Sequence, residues 1–159
     1  MAKKEAISAC EVIRKDHDDI KKLLQKYDTA SNAKERENIV RELGLQLSEH
    51  ARVDEELIFP AAAQIAEDSS IVDKLKESDN SVKMRLAQVQ RLYADIDKEE
   101  FMEKMKELKQ AICTLIEQEE KSLLPCIENT EYNLDELGEE VAKLRAGQSI
   151  EPIKLRKKA

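Results

Sequence analysis

Two histidines occur in this chain, His17 and His50, and each interrupts the apolar stripe of a predicted amphipathic helix. Imidazole inside a bundle needs a partner, because a buried polar group left alone costs free energy. His50 opens the run His50-Ala-Arg-Val-Asp54-Glu-Glu-Leu-Ile-Phe-Pro60, which sets a carboxylate four residues on, one helical turn away and on the same side. At that spacing an imidazole and a carboxylate can share a metal ion. Asp79 and Glu119 intrude on two further apolar lines in the same way. Nitrogen and oxygen donors together suit iron, manganese or zinc rather than a soft, thiolate-seeking metal.

Four long helices are needed to position these groups. The first is predicted from about Lys4 to Asp28, with Cys10, Ile13, His17, Ile20, Leu24 and Tyr27 at spacings of three and four. Thr29-Ala-Ser-Asn32 reads as a turn. The second helix extends to about Ala66, with Leu43, Leu47, His50, Asp54, Leu57 and Ala61 on one line. Gly44 lies inside it, where a neighbouring helix could approach closely. Glu67-Asp-Ser-Ser70 supplies a stop and a fresh N-cap, and the third helix carries Val72, Leu75, Asp79, Val82, Leu86, Val89, Tyr93 and Ile96 inward. The fourth places Phe101, Met105, Leu108, Ile112, Leu115, Glu119, Ser122 and Cys126 on its inner line. Short connections make neighbours antiparallel, so the expected fold is all-α: an up-down-up-down four-helix bundle. Leu134 to Ala146, ended by Gly147, adds a short helix packed outside. The bundle domain is read as residues 1–147, and 148–159 as a basic C-terminal tail, its Lys154-Leu-Arg-Lys-Lys158 solvated.

The composition narrows the class. A formal charge of −7 argues against nucleic acid as a partner. Met1-Ala-Lys-Lys-Glu5 leads into no apolar signal region, and no run approaches the ~18 apolar residues of a membrane span; the expectation is a soluble, cytoplasmic protein with no membrane partner. Cys10, Cys113 and Cys126 form no CxxC pair and read as small core residues in a reducing compartment.

The two halves repeat. His17-x-x-Ile20-Lys21 corresponds to Asp79-x-x-Val82-Lys83, and His50-x3-Asp54-x5-Pro60 to Leu115-x3-Glu119-x5-Pro125, with Glu55 matching Glu120. With Asp16-His17 upstream and Glu119-Glu120-Lys-Ser-Leu-Leu-Pro125 downstream, the chain resembles the hemerythrin-like, HHE cation-binding family from roughly Ile7 to Arg145. That resemblance implies a four-helix bundle holding a non-heme di-iron centre, ligated by histidines and bridging carboxylates. His17, His50, Asp54 and Glu119 match the ligand positions, with Glu120 the alternative for the last. The family's usual histidines of the second half are replaced by Asp79 and Leu115, and a further one falls at Lys83.

Asp54, Asp79 and Glu119 bring three negative charges into one core, which would take up protons or call for cations. Two histidines and three carboxylates could hold a di-iron centre; a mononuclear iron, manganese or zinc site on the His17/His50 side is the smaller alternative. Three functions are compatible with these residues: a metal-binding protein that senses, stores or detoxifies iron or O2-derived species; a di-iron redox enzyme acting on peroxide or nitric oxide; and a metal-free bundle serving as an interaction protein. No catalytic residue is assigned.

Overall fold

The computed structural model describes residues 8–159; the predicted opening of the first helix, residues 4–7, lies outside them. Helix α1 (Ala9–Thr29) begins where Ser8 accepts a hydrogen bond from the Glu11 amide at 3.2 Å. Helix α2 (Ala33–Val53) begins at Asn32, which accepts from the Glu35 amide at 2.9 Å while Glu35 accepts from the Ser31 amide at 3.0 Å. Such reciprocal capping satisfies amides that the first turn leaves without partners.

A π-helical turn, Asp54–Ile58, continues α2 into α3 (Phe59–Ile65). Helix α4 (Ser70–Gln90) comes next; its Ser70 amide is taken by Asp68 at 2.9 Å, within the stretch expected to cap it. A 3-10 turn at Tyr93–Asp95 leads to α5 (Glu99–Gln118), a second π-helical turn at Glu119–Leu123, and α6 (Leu124–Glu128). Helix α7 (Asp135–Arg145) stops before Gly147, whose φ of 73° is the left-handed conformation that favours glycine.

Helices α1 and α2 form one antiparallel pair and α4 and α5 the other, closed by contacts of α3 with α4 and α6 and of α1 with α6. The expected all-α, four-helix architecture is present, with α7 as the extra helix. Between the pairs lie fully buried Ile13, Ile20, Leu43, Leu75, Leu108 and Ile112. Each such side chain contributes roughly 1.5–3 kcal/mol by leaving water.

The two π turns sit at equivalent places in the two halves. Phe59 N–H bonds back to the Asp54 carbonyl, and Leu124 N–H to the Glu119 carbonyl. Pro60 and Pro125 come immediately after. A proline in a helix donates no hydrogen bond and its ring crowds the carbonyl four residues back; widening the preceding turn by one residue carries that carbonyl aside. The extra residue also shifts the phase of the helix beyond it. Leu123 and Ile127 are fully buried, Ser122 is exposed and Cys126 half-buried, so the inner line expected through Ser122 and Cys126 is displaced by one position. Cys10 is buried as expected, while Cys113 is exposed.

The chain's basic ending is docked rather than solvated along its length. Strand β1 (Tyr132–Asn133) pairs antiparallel with β2 (Arg156–Lys157). Ile153 and Leu155 are buried while Lys154 and Arg156 face out, a two-residue alternation that hides the apolar half of an otherwise cationic segment. The Gln64 side chain on α3 clamps it, donating to the Ile153 carbonyl and accepting from the Leu155 amide, both at 2.8 Å. Among the described residues no helix is long and apolar enough to cross a membrane.

Candidate metal centre

Five elements carry the polar core. α1 supplies His17, α2 supplies His50, and each π turn opens with a carboxylate, Asp54 or Glu119; α4 adds Asp79. All five are buried. Widened helical turns recur at functional sites because they set a side chain where a regular helix cannot, and here both begin on a carboxylate of the cluster.

Both imidazoles aim Nε2 at the same oxygen. Glu119 Oε2 lies 2.6 Å from His17 Nε2 and 3.2 Å from His50 Nε2. On the outer side, His17 Nδ1 meets Glu120 Oε1 at 3.0 Å and His50 Nδ1 meets Asp16 Oδ2 at 3.0 Å. A carboxylate can only accept, so each Nδ1 carries hydrogen and donates. With an ion in place of the Nε2 hydrogen, the lone pair of each ring would face inward, the arrangement by which outer carboxylates orient imidazoles toward a metal ion. Asp54 Oδ2 lies 3.1 Å from His50 Nε2, near enough to pair by charge but without hydrogen-bond alignment.

The electrostatics derive from burial. Desolvation pushes Asp54 well above the usual carboxylate range, and neighbouring Glu119 adds to it. Glu119 is lowered although burial opposes this, because His17 and His50 both hydrogen-bond to it. Burial would depress His50, yet the charge of Asp54 and the contacts with Asp16, Asp54 and Glu119 raise it well above its ordinary value. Asp79 is raised to about 7, first by burial and then by its hydrogen bond with Glu55.

The residues fit a cation. Both oxygens of Asp54 and Oε1 of Glu119 are buried without a hydrogen-bond partner, and buried oxygens of that kind ordinarily have one. Donor atoms of His17, His50 and Glu119 lie within 4.8 Å of one another. Ligand bonds of about 2.1 Å at right angles put neighbouring donors about 3.0 Å apart, close to the 3.1 and 3.2 Å edges on His50.

Of the six residues expected from the sequence, His17, His50 and Glu119 come together and Asp54 adjoins them. Asp79 stands apart, paired with Glu55, which itself bonds Lys83. Glu120 lies outside His17 as its Nδ1 acceptor. Two contributors are absent from the sequence pattern. Asp16 stands out there only as the residue before His17, and it serves the other histidine. Arg145, which donates to Asp16, carries no periodic signal. Beside His50 a cavity of about 280 Å³ opens between α2 and α4, lined by Glu55, Asp79, Val82, Lys83 and Leu115 among others.

A four-helix bundle with two imidazoles and two unsatisfied carboxylates at its centre defines a helical protein with a cation-binding interior. A model of the hemerythrin HHE cation-binding domain matches residues 8–127. The chain belongs to that family. No curated protein and no solved structure matches it significantly.

Proposed function

We propose that this protein holds one transition-metal ion, iron in the first instance, on His17 Nε2, His50 Nε2 and Glu119, with Asp54 at its side, and uses it to sense, store or detoxify iron or O2-derived species. The observation that carries this reading is the convergence of both Nε2 atoms on Glu119 while both Nδ1 atoms are held by outer carboxylates. Two imidazoles and one carboxylate with positions left open suit a non-heme ferrous ion; manganese and zinc accept the same donors. When bound, the ion supplies Lewis acidity and, for iron, one-electron chemistry. The chain's own residues orient the imidazoles, keep water from the buried side and leave room beside His50 for a small ligand such as O2, nitric oxide or peroxide.

A dinuclear centre is the second reading. It is favoured by the three unpartnered oxygens of Asp54 and Glu119, which could bridge. Against it stand Leu115, which offers no donor, and the Asp79 carboxyl, already engaged by Glu55. The deciding measurement is metal content by inductively coupled plasma mass spectrometry on protein purified without oxygen or chelator, beside a His50→Ala control. One iron per chain, lost in the control, supports the mononuclear site. Two would establish the dinuclear one, and none after iron reconstitution would leave a metal-free bundle acting as an interaction protein.

A further inference from the structure

Asp16 precedes His17 by one residue, so it leaves α1 about 100° round the helix and reaches toward α2 instead of the Glu119 side. There its Oδ2 takes the hydrogen bond from His50 Nδ1 at 3.0 Å. The same oxygen accepts from Arg145 Nη2, on the last turn of α7. α7 lies beyond residue 127, where the family match ends, and packs against α1, α2 and the π turn Asp54–Ile58.

We propose that Arg145 is a positioning residue for the metal centre: it holds Asp16 against His50 Nδ1, so that the imidazole presents Nε2 to the ion. The surroundings give Asp16 a reason to leave if Arg145 is lost. Arg145 and Asp16 share a small cleft of about 70 Å³ with Asp19, Ile20, Gln46 and Glu49. Arg145 is the one cation among the described residues lining it, set against three carboxylates, of which Asp19 also pairs with Lys15 at 2.8 Å. Remove the guanidinium and Asp16 faces like charges at the rim of the cleft, with water free to compete for His50. A residue outside the matched domain thereby couples α7 to the affinity of the core site. This rests on the metal reading above.

The test uses the full chain, zinc as a redox-silent probe, and two independent readouts. Arg145→Met keeps the aliphatic stem; its zinc affinity, measured by chelator competition, should fall about 10- to 100-fold, the usual consequence of losing an outer partner of a metal ligand, with partial recovery in Arg145→Lys. Ile96→Ala, in the connection between α4 and α5, serves as a control destabilised without touching the cleft and should keep the wild-type affinity. In metal-free protein, the imidazole nitrogen resonances of His50 in Arg145→Met should move toward those of Asp16→Asn. Unchanged affinity in Arg145→Met, or an equal loss in Ile96→Ala, overturns the proposal. A wild-type chain that binds neither zinc nor iron overturns the metal reading instead, and the two failures are told apart because the His50 resonances still report the Arg145 contact.

Discussion

Asp79 and His17 occupy corresponding places in the two halves, as do Leu115 and His50, yet only the first half brings imidazoles to the centre. Asp79 and Leu115 both line the cavity beside His50, so histidines there would project toward the same space. Asp79→His combined with Leu115→His should raise metal content from one toward two per chain, by mass spectrometry; unchanged content would argue that the second half lacks the geometry to ligate. Asp79 also makes a pH prediction for the metal-free protein. Its folded value of about 7 exceeds the ordinary value of 3.8, so between those limits the folded state binds more protons and stability falls as pH rises. Asp79→Asn should be the more stable protein at pH 8, by up to about 4 kcal/mol, with the gap closing near pH 4 in urea titrations. Equal stability at both pH values would contradict a buried carboxyl in that state. His17, His50 and Glu119 were legible because each breaks an apolar line in phase with its neighbours. Asp16 and Arg145 were not, because an outer partner sits at the edge of a stripe, where charged residues are common.

At the scale of the elements, the helices were legible from periodicity and capping residues, but the third was read through Tyr93 and Ile96, whereas α4 stops at Gln90 and Tyr93 opens a 3-10 turn. The π turns were not legible. A single added residue leaves no mark on composition; its trace is a proline six positions after each carboxylate, together with an apolar line that slips from Ser122 to Leu123. Both glutamate-rich turns therefore look like ordinary helix in the sequence. At Gly44, where the sequence leaves room for a close neighbour, an added Cβ would meet Gln90 Nε2 at 3.4 Å, Leu86 Cδ1 at 3.6 Å and the Tyr93 hydroxyl at 3.6 Å. These are ordinary contacts, so the helix propensity of alanine should prevail. Gly44→Ala is expected to gain about 0.5–1 kcal/mol, seen as a Tm higher by roughly 1–4 °C. A lowered Tm would mean that α2 and α4 need the closer approach.

Over the whole molecule, the ending contributes to stability despite its charge. Ile153 is buried beneath the clamp made by Gln64. Ile153→Ala should cost roughly 2 kcal/mol, read from the urea midpoint, and loss of nothing measurable would show that the segment adds no stability. The basic composition concealed this docking, since only Ile153 and Leu155 alternate inward.

The strand that receives this ending carries Tyr132, and the chain has three tyrosines and no tryptophan. Tyr27 lines a cavity formed with Ile96 and Met105, and Tyr93 stacks beneath Arg41 at 4.6 Å. Replacing those two with phenylalanine would leave a single emitter on the clasp itself. Release of the last strand could then be followed by light, in unlabelled protein and on the timescale of mixing, without a dye, a tag or a metal.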